Sequence, residues 1–467
     1  VAVKLDLDDI QGLLARGYKG LRHARFTLFA IREPAAGHAL LAWLLPQVTT
    51  AAAFAADTAL QVAFTSSGLR GLGLPDRVMD RFSAEFREGM ASPNRSRFLG
   101  DVAESDPLRW AWGKPQGPPI DCLTLLYAAS PDILERRQAD LKGRLAELGV
   151  SEVTELGTLE LANQEPFGFR DGISQPIIAG LPKATGNQRT VPAGEFVLGY
   201  PNARGQLTDR PMLPSADDPR RLLLPDPAGT GQVDLGRNGT YLALRQLEQD
   251  VDAFRRYLGQ ATRRPDGTED PGEQAALAAK MVGRWPSGAP LISAPCRDDR
   301  ALGGSNDFGY HGDPLGLACP LGAHIRRANP RDSLDPQPAA SLDASDLHRI
   351  LRRGRSYGQA GAGRRETGLY FICLAGNLSR QFEFVQHTWL NNPTFSGLYD
   401  DADPLTGSRQ PAGGTFTVPA HPVRRRYRDL PQFVRTRGGA YFFLPGVSAL
   451  RYLAQLKETV LPASAAG

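Results

Sequence analysis

Residues 319–332 read Cys-Pro-Leu-Gly-Ala-His-Ile-Arg-Arg-Ala-Asn-Pro-Arg-Asp and place one imidazole, His324, among three guanidinium groups, Arg326, Arg327 and Arg331. Gly322 and Ala323 leave room for a flat partner close to the backbone. A neutral imidazole nitrogen on a metal, with guanidinium groups on acid side chains of the same cofactor, would suit haem and its two propionates. Two further stretches add reactive types. Gly168-Phe169-Arg170-Asp171-Gly172, inside Glu165–Pro176 (EPFGFRDGISQP), is a glycine-flanked tight turn that projects one carboxylate. Leu351–Gly358 (LRRGRSYG) is a basic turn that offers Arg352, Arg353 and Arg355. A carboxylate that relays protons beside a permanent cation is what heterolysis of a peroxide bond on iron requires.

These residues must be held by elements that the periodicity of the chain predicts. His23–Ile31 alternates as a half-buried strand, and Ala36–Thr49 carries apolar residues at helical spacing. Ala59–Phe64 and Cys122–Tyr127 read as strands. Asp132–Leu148 is a helix entered through Ser130-Pro131, and Val153–Leu161 is a fourth strand. The order βαββαβ, with antiparallel strands covered by helices, is ferredoxin-like. The order recurs with Gly239–Leu244 (strand), Gln249–Tyr257 (helix), Leu369–Ala375 (strand), Leu378–His387 (helix), Ala440–Leu444 (strand) and Ser448–Lys457 (helix), one strand short. Lys183–Gly236, Arg263–Gln274 and Pro404–Val423 read as irregular insertions, and Leu5–Leu14 as a short amphipathic piece. The expected fold is α+β, two ferredoxin-like units of the dimeric α/β-barrel-like type, 1–236 and 237–467.

Composition narrows the class. A chain of 467 residues can bury a large core, and a net charge of +4 with dispersed arginines implies neither nucleic acid nor an anionic membrane as partner. The four cysteines, Cys122, Cys296, Cys319 and Cys373, form no CxxC pair and read as reduced thiols. No run of 18 apolar residues marks a membrane span. Cytoplasmic residence is expected. The chain begins at Val1, so a removed export segment stays open.

The ordered set GxxDG, His324 and the Arg352 turn resembles the dye-decolourising peroxidase family, with further matches at GEFVLGYPN (194–202), KMVGRWPSGAPL (280–291), GLYFICL (368–374) and QFEFVQHTWLNN (381–392). The wording around His324 is most similar to the family's larger, advanced subgroup. The resemblance implies haem b with His324 as axial ligand, and Arg331 on a propionate. It also implies Asp171 and Arg352 as the acid/base and cationic partners on the other face, and Leu369 and Phe371 as apolar pocket walls. Asp403, in Asp403-Pro404-Leu405-Thr406-Gly407, matches the acid that supports the ligand, with Asp400, Asp401 and Glu383 as alternatives. The implied activity is reduction of hydrogen peroxide and oxidation of dyes and small phenolic or other aromatic donors through an oxidised, high-valent haem. Trp389 or Tyr357 could pass electrons from the surface, although packing is the commoner fate of such rings. The rival is a haem-delivery or iron-removing, deferrochelatase-like protein, which would use His324 and Arg331 but not Asp171 and Arg352. Whether the chain works as monomer or dimer is open.

Overall fold

A computed structural model describes residues 4–181, 189–360, 365–409 and 413–456. The first unit holds β1 (His23–Ala30), α1 (Pro34–Leu44), β2 (Thr58–Phe64), β3 (Cys122–Ala128), α2 (Pro131–Glu147) and β4 (Ser151–Gly157). The second holds β5 (Thr240–Gln249), α3 (Val251–Ala261), β6 (Arg355–Ala360), β7 (Arg365–Ala375), two wide helical turns at Ser379–Glu383 and Val385–Leu390, β8 (Val434–Leu444) and α6 (Val447–Leu453). Between α3 and β6 lie α4 (Pro271–Val282) and α5 (His324–Ala328). The strands run β2-β3-β1-β4 in the first unit and β6-β7-β5-β8 in the second, the same antiparallel ferredoxin-like order twice. β8 meets β2 at Phe443 and Phe64, which joins both units into one continuous sheet.

Alternation along the strands sorts side chains to the two faces. Leu60, Val62 and Phe64 of β2 enter one core while Ala59 and Ala63 enter the other, and Phe29 of β1 is likewise separated from Phe26 and Leu28. Burial of each large apolar side chain contributes roughly 1.5–3 kcal/mol. Helix limits follow local chemistry. α2 starts where the Ser130 hydroxyl accepts from Ile133 N, and it buries Leu134, Gln138, Leu141 and Leu145 on one stripe. α1 stops at Leu44, short of the predicted Thr49, because Pro46 cannot continue the hydrogen-bond ladder.

The strand missing from the second unit is β6. Its sequence RSYGQA is short and polar, with one glycine, and it lies at the sheet edge against β7. Three insertions are more ordered than expected. Helix α4 begins within 263–274, where Asp270 accepts from Glu273 N at 3.1 Å ahead of Pro271. The 183–236 connector holds a small sheet of Met212–Pro214, Gln232–Asp234 and Leu224–Pro225, with 183–188 outside the described residues. The third insertion carries a strand at Gly414–Val418. Leu5–Leu14 forms no regular helix. Instead the Gln11 side chain bonds Val62 N, Val62 O and Pro445 O, stitching the N-terminal segment to both units. The last helix ends at Leu453, and the predicted end at Lys457 lies outside the described residues. The cysteines are all free thiols, three of them buried. Among the described residues no helix is long and apolar enough to cross a membrane.

Candidate active site

His324 is the first residue of α5, and its short helix is anchored by the two arginines that follow it. Arg326 donates to Asp313 Oδ2 (3.1 Å), Cys319 O (2.7 Å) and Asp313 O (2.8 Å) and covers the Tyr310 ring at 4.7 Å. Arg327, fully buried, donates to Trp389 O (2.7 Å), Asn392 O (3.0 Å) and Asp401 O. These guanidinium groups therefore do not surround the imidazole as the sequence suggested, because backbone carbonyls and Asp313 consume them. Gly322 and Ala323 also pack inward rather than leaving a slot: a Cβ on Gly322 would touch Leu398 and Phe416, and Ala323 is wholly buried. Helix α4 packs its C-terminal end closely against α5. That helix ends at Gly283 with φ +97°, and a Cβ there would lie 2.4 Å from Ile325 Cγ1, so only glycine permits the approach.

His324 Nδ1 is 2.9 Å from Asp403 Oδ2. Of the four acids weighed from the sequence, Asp403 is the one bonded to His324: Asp401 accepts from Thr415 Oγ1 and Thr417 N, Asp400 faces Arg426, and Glu383 accepts from Tyr441 Oη and Arg95. The other Asp403 oxygen accepts from Leu405 N (3.0 Å), Thr406 N (2.8 Å) and Thr406 Oγ1 (3.1 Å). Burial opposes ionisation of Asp403, but His324 and these donors outweigh it and hold the carboxyl down at about 2. Burial likewise opposes a charged His324, and Asp403 more than offsets it, so the imidazole is more basic than usual. With Nδ1 committed, Nε2 is the nitrogen left to ligate.

His324 lines a cavity of about 530 Å³ together with Asp171, Arg352, Leu369 and Phe371. Leu369 and Phe371 alternate with buried Tyr370 and Ile372 on β7, and Leu247 of β5 stands beside Leu369 in register. Arg352 forms a two-residue strand with Leu351 against Cys373 and Leu374, and its backbone N donates to Gln175 Oε1 at 3.0 Å. Its Nη1 lies 3.1 Å from Asp171 Oδ1, which also accepts from Gly172 N at 2.6 Å. Arg353 and Arg355 turn the other way, onto carbonyls of Leu13, Leu14, Gly17, Tyr18 and Leu21. Asp171 keeps 48 % and Arg352 32 % of their side-chain surface accessible, because both face the cavity rather than packed protein. Burial pushes the Asp171 carboxyl up, but Arg352 and the Gly172 amide prevail and hold it below the ordinary carboxylate range.

Arg331 does not line this cavity. Its guanidinium donates to Asn306 O (2.9 Å), Phe308 O (2.8 Å) and Asn306 Oδ1 (2.6 Å) and stacks 3.9 Å from the Phe308 ring. The cations that line it, besides Arg352, include Arg284 and Arg349, which sequence reasoning missed although Arg284 lies in the GRWPSG stretch and Arg349 three residues before Arg352. Burial, with Arg331 and Arg352 nearby, lowers both to about 10. Arg284 also donates to Gly288 O (2.7 Å), Ser305 O (2.8 Å) and Asn306 Oδ1 (3.2 Å), and Arg349 Nη1 lies 3.6 Å from Asp346 Oδ1, so both have protein partners while adding positive charge to the cavity wall, which favours an anionic ligand. Trp389 and Tyr357 are 5 % and 1 % exposed, so neither is a surface ring: Trp389 packs on Phe384 and His348, and Tyr357 stacks on Tyr370 at 4.6 Å.

One free imidazole nitrogen backed by a carboxylate, apolar walls and clustered guanidinium groups fit haem, and with the acid–arginine pair they define a haem peroxidase site on a doubled ferredoxin-like fold. Residues 229–423 match the family model for the C-terminal part of Dyp-type peroxidases. A dye-decolorizing peroxidase from Exidia glandulosa is 32 % identical over 96 % of this chain and 86 % of its own. The solved structure of a fungal DyP-type peroxidase from Auricularia auricula-judae superposes with a TM-score of 0.78 at 29 % identity, covering 97 % of this chain and 100 % of that one. A dye-decolorizing peroxidase solved with 2,6-dimethoxyphenol gives 0.78 at 26 % identity, with 96 % and 100 % covered. Likeness to a deferrochelatase from Yersinia pestis spans 31 % of this chain and 24 % of that protein. The chain belongs to the dye-decolourising peroxidase family and is a haem-dependent peroxidase.

Proposed function

We propose that this enzyme binds haem b, with His324 Nε2 on the iron, and uses hydrogen peroxide to oxidise small aromatic donors, phenols of the 2,6-dimethoxyphenol type among them. Haem, when bound, supplies the redox-active iron at which peroxide is reduced and donor electrons are accepted. The protein supplies everything else. Asp403 fixes the His324 tautomer and raises its basicity. Leu369, Phe371 and Leu247 keep the cavity dry, which strengthens each charge in it. Asp171 Oδ1 is occupied by Gly172 N and Arg352, so Oδ2 is the oxygen that takes a proton from incoming peroxide and returns it to the departing oxygen. The Arg352 guanidinium balances the negative charge that develops as the O–O bond breaks. Arg284 and Arg349 line the cavity and would meet the propionates there, with Arg331 within electrostatic reach of both. The division 1–236 and 237–467 assigns the proximal ligand to the second unit and the GxxDG loop to the first.

The observation that carries this reading is that His324, backed by Asp403, shares one cavity with the Asp171–Arg352 pair. A haem carrier needs the former and has no use for the latter. The test is the absorption spectrum of haem-loaded protein before and within milliseconds of one equivalent of hydrogen peroxide. Rapid conversion of the Soret band is expected, and a band that stays or bleaches slowly overturns the reading in favour of haem handling.

A further inference from the structure

The turn that carries Asp171 is held by a side chain that has no part in the scheme above. Glu165 Oε1 accepts from Phe169 N (2.9 Å), and Oε2 accepts from Phe167 N (3.0 Å) and Gln249 Nε2 (2.7 Å). The Glu165 backbone N donates to Phe169 O (2.9 Å), and Gly168 N donates to Glu165 O (2.8 Å). Residues 165–169 are thus closed on themselves by their own first residue. From there the chain reaches Asp171 through Arg170, whose N donates to Pro286 O, and Asp171 N donates to Asn163 O.

This closure matters because the turn has little steric lock of its own. Gly168 and Gly172 flank Asp171 at φ +97° and +74°, and a Cβ at either would meet nothing within 4 Å, so neighbours do not fix these residues. Glycine freedom makes such a turn soft unless hydrogen bonds define it. Glu165 also stands in a partition: it and Gln249 line both the Asp171 cavity and a separate outer pocket of about 450 Å³, where Glu160, Glu248, Asp250, Asp252 and Arg255 are the other charged groups. Burial first, then Asp171, raises the Glu165 carboxyl above its ordinary range, so the two acids lie within electrostatic reach of each other.

We propose that Glu165 is the positioning residue for Asp171: its carboxylate clamp on Phe167 N and Phe169 N holds the turn in the shape that brings Asp171 against Arg352. The proposal rests on the assignment of Asp171 as the acid/base group. A misplacement of about 1 Å in a catalytic group can cost roughly 100-fold in rate, so loss of the clamp should appear in the peroxide step.

Two independent readouts test it in the full chain. In haem-free protein, amide hydrogen exchange should accelerate at both Phe167 and Phe169 in Glu165→Ala, whereas Glu165→Gln keeps one acceptor oxygen and so protects only one of the two, Phe169, while Phe167 exchanges faster. Turning the Gln249 amide lets its unpaired Oε1 accept from the new side-chain NH2 in Glu165→Gln, which keeps the Phe169 half of the clamp and leaves Phe167 N without its acceptor. In haem-loaded protein, Glu165→Ala should react with hydrogen peroxide roughly 10- to 100-fold more slowly at unchanged haem content, while donor oxidation at saturating donor keeps its KM. Glu165→Gln, with half of the clamp, should fall between Glu165→Ala and the parent, and Glu165→Ala/Asp171→Asn should be no slower than Asp171→Asn alone, because a residue acting through another adds nothing once its target is gone.

Unchanged exchange at both amides, a peroxide rate within about 3-fold of the parent, or losses that multiply in the double variant each overturn the clamp. If Glu165→Ala fails to fold, Gln249→Leu decides, with a several-fold slower peroxide step expected and none in the Asp171→Asn background. An Asp171→Asn variant that reacts at the parental rate removes the acid/base assignment itself, and that result is separate from any on Glu165.

Discussion

Replacing Asp171 by Asn keeps the shape of the turn and removes the proton acceptor. The asparagine Oδ1 can still accept from Gly172 N and Arg352 Nη1, the two bonds that Asp171 Oδ1 makes, and Arg352 keeps its backbone bond to Gln175. Haem loading and thermal stability should therefore change little, since both groups face the cavity and not packed core. What disappears is a positioned base, and general acid–base catalysis contributes about 10²- to 10⁴-fold. At about 1.4 kcal/mol per decade this is roughly 3–5 kcal/mol on the barrier of the peroxide step. The assay is stopped-flow decay of the Soret band against hydrogen peroxide concentration, with pyridine haemochrome quantitation of bound haem. A second-order rate within about 5-fold of the parent at equal haem content would refute the assignment and leave Arg352 as the sole group acting on peroxide.

The pH dependence of kcat/KM for peroxide follows from the same group. Asp171 works ionised and its carboxyl is held below the ordinary range, so the working form exists above that lowered value and is lost as pH falls through it. The rate should stay level down through the ordinary carboxylate range and decline only below it; in Arg352→Leu, where only the Gly172 amide and His324 still oppose burial at Asp171, the decline should begin at higher pH, on top of a roughly 10²- to 10³-fold loss, as a stopped-flow pH series would show. Asp403→Ala strands the His324 N–H and the Leu405 and Thr406 amides. Haem affinity should fall about 10- to 100-fold, measured by haem titration, and haem-free stability by roughly 1–3 kcal/mol or more, measured by urea unfolding. Arg327→Leu removes the donor that ties α5 to Trp389, Asn392 and Asp401, and should cost roughly 3–5 kcal/mol in the same unfolding assay.

Legibility in the sequence divided along physical lines. Strands β1 to β3 and helix α2 were readable because burial on one or both faces imposes a period and their ends carry caps or prolines. β6 was not, since an edge strand needs only backbone pairing on one side and tolerates RSYGQA. At the site, residues whose chemistry is local, such as Asp171 between its glycines, stood out. The arginines did not sort themselves, because Arg326, Arg327, Arg331, Arg353 and Arg355 have the same side chain as Arg349 and Arg352 and differ only in which carbonyls the fold places beside them, and Arg284 lines the cavity while bonded to Gly288 O and Ser305 O. A guanidinium that finds carbonyl partners becomes scaffold, and one left facing a cavity becomes available to a ligand. That choice is made by tertiary placement, after the strands and helices that the sequence does specify have formed. The proximal acid shows the same logic in reverse. Asp400, Asp401 and Asp403 are three acids in four positions, and the turn that gives Asp403 Oδ1 to Leu405 N and Thr406 N leaves its Oδ2 for His324, while Asp401 is spent on Thr415 and Thr417. Backbone donors, not the acid's own identity, decide which carboxylate reaches the imidazole.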